Sequence, residues 1–191
     1  LKVSYAGEKG FEIHVHNNCM KKIYDELVQH GENFNLIHFG MLALDSMRLE
    51  KNYRSWKSDL TSDYTMLQSG LEKWIKFDKG NFIGKEALKN EFDLGTSKKF
   101  VTLVVDDPED NKPFGEPVYL SPVFAGDDYL GPIVSSGYGH RVKKSISMAI
   151  LDDRNLNGLN DQLYIDVLGR KRKAYIVNEA LYDPENLKLR S

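Results

Sequence analysis

The chain has 191 residues, 41% of them hydrophobic, a single cysteine, a formal net charge of -2 and a pI near 6.2. This is enough apolar material for one large or two small cored domains of a soluble globular protein. The near-balanced charge gives no global attraction to nucleic acid or an anionic membrane surface, and no apolar run approaches the roughly 18 residues of a membrane span. Lone Cys19 excludes an internal disulfide and a Cys-x-x-Cys zinc or redox pair.

Taken in chain order, the first element reads as a hairpin. Val3-Ser4-Tyr5 and Phe11-Glu12-Ile13-His14-Val15 flank Gly7-Glu8-Lys9-Gly10, with glycines where a tight reversal needs positive φ. On the second strand Phe11, Ile13 and Val15 share one face, and Glu12 and His14 share the other. Asn17 or Asn18 caps a helix marked by Met20, Ile23, Tyr24, Leu27 and Val28, with Gly31 as its left-handed stop. A second helix spans about Gly40 to Lys51, carrying Met41, Leu44 and Met47. Thr65 to Phe77 is open between strand and irregular chain, and a short helix from about Lys85 to Phe92 follows.

Asp93-Leu94-Gly95-Thr96-Ser97 changes the pattern. Beyond it short strands alternate with turn clusters: 100–105, 117–120, 132–136, 145–151, 163–168 and 174–178. This spacing predicts a compact β sandwich or barrel. The fold class is therefore α+β, with a mixed unit over 1–95 and a small all-β unit over 96–191.

Three stretches carry chemistry: Ser4-Tyr5-Ala6-Gly7-Glu8-Lys9-Gly10-Phe11-Glu12-Ile13, Leu49-Glu50-Lys51-Asn52-Tyr53-Arg54-Ser55-Trp56-Lys57-Ser58-Asp59-Leu60, and Asn81-Phe82-Ile83-Gly84-Lys85-Glu86-Ala87-Leu88. In this order and spacing they resemble the folate-binding aminomethyltransferase family, that of the glycine cleavage T-protein. The Tyr53-Arg54-Ser55-Trp56 run, Tyr138-Gly139-His140 and Tyr182-Asp183-Pro184-Glu185-Asn186 resemble one branch of it most, the folate-binding regions of dimethylglycine and sarcosine dehydrogenases. Ser135-Ser136-Gly137 followed by Lys144-Ser145-Ile146 is similar to the signature of the family's small C-terminal β domain. The resemblance implies that 1–95 is the C-terminal part of a folate-binding domain and 96–191 a β-barrel domain. It also implies further folate domain upstream, in the dehydrogenases with an FAD domain before it; Leu1 is not an initiator methionine, and the expectation is a fragment.

For site residues the resemblance implies Glu12, Tyr5 and Tyr53. A reduced pterin presents a ring N–H beside an exocyclic amine, a donor pair that one carboxylate can accept, and Glu12 stands where the family uses this carboxylate. Tyr5 and Tyr53 match tyrosines that the family places on folate, where a phenol gives a flat surface and a hydroxyl. Arg54 and Trp56 add a cation and a ring to the same segment, Arg54 for a carboxylate of the folate tail or of a partner. Three of these have a plainer reading: Glu12 as a solvated strand residue, Tyr5 as cross-strand packing, Arg54 as surface chain. No catalytic residue is assigned, because the family's catalytic aspartate lies upstream. Leu44 stands where the T-protein has a folate-contacting arginine, in Leu44-Asp45-Ser46-Met47-Arg48-Leu49-Glu50, which counts against glycine cleavage and for the dehydrogenase branch; Arg48 and Glu50 read as an internal ion pair.

Other motifs carry less. His14 and His16 suit a metal but lack a third ligand nearby, so no metal is expected. Arg170-Lys171-Arg172-Lys173 reads as a solvated hairpin tip, with a polyglutamate-tail site as a weaker alternative. His140-Arg141 is a conceivable lid contact. Gly137-Tyr138-Gly139 lacks the third glycine of a dinucleotide fingerprint.

The function implied by the resemblance is transfer of a methylene from a methylated amine, such as dimethylglycine, sarcosine or an aminomethyl-lipoyl protein, to tetrahydrofolate. FAD is implied only if a dehydrogenase domain precedes the chain, and an FAD domain or lipoyl protein would be the partner. The alternative from another class is a non-catalytic folate-binding or domain-docking module. Neither nucleic acid nor membrane is expected, and the compartment is cytoplasm or mitochondrial matrix.

Overall fold

In a computed structural model, residues 1–106, 115–153, 156 and 163–191 are described. The first half is helical and irregular: α1 (Asn17–Gly31), a 3-10 turn (Glu32–Phe34), α2 (Met41–Glu50), a second 3-10 turn (Glu72–Trp74) and α3 (Lys85–Leu94). The second half holds β1 (Lys98–Val105), β2 (Pro122–Ala125), β3 (Asp128–Gly139), β4 (Lys144–Asp152), β5 (Leu163–Val167), β6 (Arg170–Val177) and the four-residue α4 (Leu187–Arg190).

The six strands close into an antiparallel barrel in the order β1-β4-β3-β2-β5-β6, with β6 returning to β1 through Thr102↔Val177 and Val105↔Ala174. Closure removes both sheet edges. Side chains of opposite parity on β1 and β4 face different cores. Val101, Leu103, Val105, Ala149 and Leu151 fill the barrel with Val123, Ile133 and Ile165. Phe100, Ile146, Met148 and Ile150 leave it on the other side and pack with Val134 around Leu49 of α2. The near-continuous apolar runs of β1 and β4 follow from being covered on both faces. Gly131, in β3, has φ 154° and lies where a Cβ would meet the Ile150 carbonyl oxygen at 2.2 Å, so the chain passes the neighbouring strand only without a side chain.

Several local expectations are corrected. Residues 3–15 form no strands: Leu1 and Glu12 exchange N–H···O=C bonds of 2.9 Å, and bends fill the interval. The cap of α1 is His16, without a side-chain capping bond. Gly31 is right-handed (φ -68°), and Asn35 (φ 54°) takes the left-handed position. The apolar stripe of α1 stays open, with Met20, Tyr24 and Leu27 at least half exposed. Residues 117–120 make a turn rather than a strand, with Leu120 at φ 67° and Ser121 N–H donating to the Val118 carbonyl. Residues 170–173 belong to β6: Arg172 is buried and donates Nε to Asp106 O (2.9 Å) and Nη1 to Gly115 O (3.2 Å), so a guanidinium ties the barrel rather than meeting solvent. Among the described residues no helix is long and apolar enough to cross a membrane.

Candidate ligand-binding site

The site is built on α2 and the turn after it. Leu49 sinks into the outer face of the barrel, and its neighbours Arg48 and Glu50 are buried as well, each by its own polar partners. Arg48 spreads its guanidinium over four acceptors: Asp45 Oδ1 (2.7 Å), Asp59 Oδ2 (2.7 Å), Ser135 Oγ (2.8 Å) and Tyr53 O (3.2 Å). Asp59, fully buried, also accepts Ser55 N–H (2.7 Å) and the Ser135 hydroxyl. Arg48 and Asp59 therefore fold residues 53–60 back onto the barrel. The expected Arg48–Glu50 pair does not form: Glu50 Oε1 accepts backbone N–H groups of Arg141 (2.7 Å) and Val142 (3.3 Å) and fixes the β3–β4 turn.

On this base Tyr5 and Tyr53 stack, with ring centroids 6.2 Å apart and planes 17° from parallel. The Tyr5 hydroxyl donates to Arg54 O (2.9 Å). Burial raises both phenols above the usual tyrosine value, so both remain O–H donors at neutral pH.

Below the stack runs Lys51, which sequence reasoning missed as a site residue. Its three ammonium protons meet Asp183 O (2.6 Å), Asn186 Oδ1 (2.8 Å) and Asp183 Oδ2 (3.1 Å), and its Nζ lies 5.9 Å from the Tyr53 ring centroid and 6.0 Å from that of Tyr182. Glu8 accepts the Tyr182 hydroxyl (2.6 Å) and pairs with Arg141, whose guanidinium lies 4.2 Å over the Tyr182 ring. The Tyr182 bond chiefly, helped by Arg141, holds the Glu8 carboxyl below its ordinary value. These partners lie up to 174 residues apart in the chain, and no local pattern announces them. The one available signal was that Glu8 and Lys51 sit inside the first two of the three stretches, and that Tyr182-Asp183 opens the run resembling the dehydrogenase branch.

The expected site residues divide. Tyr5 and Tyr53 come together. Glu12 lies exposed at the mouth of the same loop, with Oε2 3.1 Å from His14 Nε2. Trp56 is 77% exposed on the turn. Arg54 points the other way: it lies 4.1 Å over the Phe100 ring and donates Nε to Ser69 O (2.7 Å) and Nη2 to Gly70 O (3.1 Å). Desolvation lowers it from the usual arginine value. It faces a cavity of about 660 Å3 between the turn and the barrel, lined also by Asn52, Glu72, Lys99 and Thr102. His16 turns to Asn18, His140 packs edge-on to Tyr138, and no group of metal ligands forms among the described residues.

Residues 1–79 match the family described as the GCVT N-terminal domain, and residues 98–183 match the glycine cleavage T-protein C-terminal barrel domain. An aminomethyltransferase of Thermoanaerobacter sp. (strain X514) is 30% identical over 181 residues, covering 95% of this chain and 47% of that protein. Human mitochondrial dimethylglycine dehydrogenase is 30% identical over 186 residues, covering 95% of this chain and 20% of that protein. The crystal structure of glycine cleavage system aminomethyltransferase T from Bartonella henselae superposes with a TM-score of 0.81 at 20% identity, over 96% of this chain and 49% of that one. The chain thus spans about half the length of the aminomethyltransferases it matches and a fifth of the dehydrogenase.

Proposed function

The chain belongs to the glycine cleavage T-protein family, and from that premise we propose that it serves in tetrahydrofolate-dependent transfer of a one-carbon group from a methylated amine. The observation that carries the reading is the stacked Tyr5–Tyr53 pair with the open Glu12 carboxylate on the same loop. The acceptor and surface set fits a reduced pterin: a carboxylate for its paired N–H donors, and phenol rings for its flat face. Trp56 adds an exposed ring on the turn that follows Tyr53. Arg54, with Nε and Nη2 already given to carbonyls, supports the turn from behind.

Bound tetrahydrofolate would supply two nucleophilic nitrogens to accept the methylene of an iminium, with their two protons leaving on the freed amine. The work of this chain is to orient and to shield. Glu12 fixes the pterin edge, Tyr5 and Tyr53 fix its plane, and the packed turn excludes water that would otherwise release the carbon as formaldehyde. The donor is an amine of the dimethylglycine or sarcosine type, favoured over an aminomethyl-lipoyl protein by Leu44, which offers no hydrogen-bond donor at a position where the T-protein pattern has arginine. FAD enters only if a dehydrogenase domain shares the polypeptide.

The test is titration calorimetry of tetrahydrofolate into the protein as its gene encodes it, followed by an assay of formaldehyde against 5,10-methylenetetrahydrofolate with each amine. Binding with methylene capture is expected. Absence of binding rejects the reading, and binding without capture from any donor moves the chain to a non-catalytic folate-binding or docking module.

A further inference from the structure

We propose that Lys51 is a positioning residue that clasps the C-terminal strap, residues 182–186, to the loop of residues 5–10, and so holds Tyr5 against Tyr53; this rests on the folate reading only for its effect on ligand binding. Three segments far apart in sequence meet on this one side chain. Its ammonium is satisfied entirely by the strap, through Asp183 O, Asp183 Oδ2 and Asn186 Oδ1. Its stem is the floor on which Gly7 rests, close enough that a Cβ at Gly7 would meet Lys51 Cγ at 2.1 Å. Its own backbone caps α2, two residues before Tyr53. The side chain is only 1% exposed with the strap docked, so the three strap acceptors, and not water, satisfy its charge.

The strap is seated from its other side as well. Tyr182 N–H donates to Glu50 O (3.0 Å), and the Tyr182 hydroxyl reaches Glu8 of the loop. Asp183 Oδ1 receives the N–H groups of Leu187 (2.8 Å) and Lys188 (3.2 Å), which starts α4 and aims Asn186 back at Lys51. The loop itself carries little regular structure to hold it, only the Leu1–Glu12 bonds at its base. Its tip is placed by Lys51 and by Glu8, which meets both Tyr182 of the strap and Arg141, and that placement acts together with the Tyr5 hydroxyl bond to Arg54 O to set the Tyr5 ring. A long cation fits this task better than an apolar residue, because its head must anchor polar acceptors while its stem supports a glycine.

Lys51→Met keeps the stem and removes the three donors, whereas Lys51→Arg keeps the charge. In the protein labelled with 3-fluorotyrosine, Lys51→Met is expected to move the Tyr5 and Tyr53 resonances together toward those of free tyrosine, and to raise tryptic cleavage after Lys9 by roughly 10-fold or more. Amide protection of β1 and β4 is expected to stay as in the parent. Lys51→Arg is expected to restore part of both signals, and tetrahydrofolate affinity should fall in Lys51→Met in step with them. If Lys51→Met does not fold, Asp183→Asn is read in its place with the same expectation. Unchanged tyrosine resonances and cleavage overturn the clasp, as does acceleration spread equally through the barrel. A parent protein that binds no tetrahydrofolate overturns the ligand reading alone, since the resonances and the cleavage still decide the clasp.

Discussion

Gly7 and Lys51 are in steric contact through an atom that glycine lacks: a Cβ at position 7 would stand 2.1 Å from Lys51 Cγ and 2.6 Å from Cδ. Lys51 cannot swing aside cheaply, because its head is fixed by Asp183 and Asn186. Gly7 also has φ 78°, where an L side chain costs roughly 1–2 kcal/mol by itself.

Gly7→Ala is therefore expected to undock the loop rather than unfold the barrel. Left-handed strain plus overpacking of roughly 1–3 kcal/mol exceeds what a loop with so few backbone bonds can absorb. Tryptic cleavage after Lys9 should rise about 10-fold or more while the urea midpoint of the barrel hardly moves. A cleavage rate equal to the parent's would show that the contact is not a constraint.

Asp59→Ala addresses the base of the site. The substitution leaves a guanidinium that is 2% exposed with the half-exposed Asp45 as its remaining countercharge, and unpairs Ser55 N–H and the Ser135 hydroxyl. Breaking a buried pair from one side costs roughly 3–5 kcal/mol. Urea denaturation should report a loss of that order. A loss below about 1 kcal/mol would mean that water reaches Arg48 and that the turn does not depend on the pair.

How much of this was legible in the sequence depends on range. Runs such as Phe100 to Val105 and Ser145 to Leu151 declare themselves because strand parity and apolar content act over adjacent residues, and the barrel followed from them. Helix α2 was readable for the same reason. The loop of residues 3–15 was not: its alternation suits a strand, yet no partner strand completes a ladder, and Tyr5 is held by a ring and a carbonyl some 49 residues on. Arg172 was misread because a basic run after a glycine looks solvated unless Asp106 O and Gly115 O are known to face it. Tyr5 and Tyr53 were each named through the family resemblance but not as a stacked pair, while Lys51, buried by Gly7 and the strap, carried no local sign of burial.

Tyr182→Phe tests the strap through a titration. The Tyr182 hydroxyl is the largest cause lowering the Glu8 carboxyl below 4.5, with Arg141 adding to it. A carboxyl depressed in the fold stabilises the folded contact above its unfolded value, and that contribution disappears as pH falls through the lowered folded value. The loop–strap contact is therefore expected to hold at neutrality, to weaken as pH falls through the ordinary carboxylate range, and to open below it. In Tyr182→Phe the NMR titration midpoint of the Glu8 side-chain carbon should move up toward the ordinary value. A midpoint identical to the parent's would assign the shift to Arg141 and remove Tyr182 from the clasp.

Glu12→Gln carries the functional reading to a number. If Glu12 accepts the paired donors of a pterin, the amide retains one acceptor oxygen and sets an N–H group against a ligand N–H. Losing a charge-assisted bond and opposing two donors costs roughly 2–4 kcal/mol, a weakening of about 30- to 1,000-fold. Because Glu12 is exposed and its nearest polar neighbour is His14 Nε2 at 3.1 Å, the substitution should leave the fold alone, and the urea midpoint serves as the control. Tetrahydrofolate titrated into the protein as its gene encodes it should show the full loss in Glu12→Gln, whereas Trp56→Ala, which removes one exposed ring, should cost less. Equal affinity in the parent and Glu12→Gln would reject Glu12 as the anchor and leave Tyr5 and Tyr53 to bind by their faces alone.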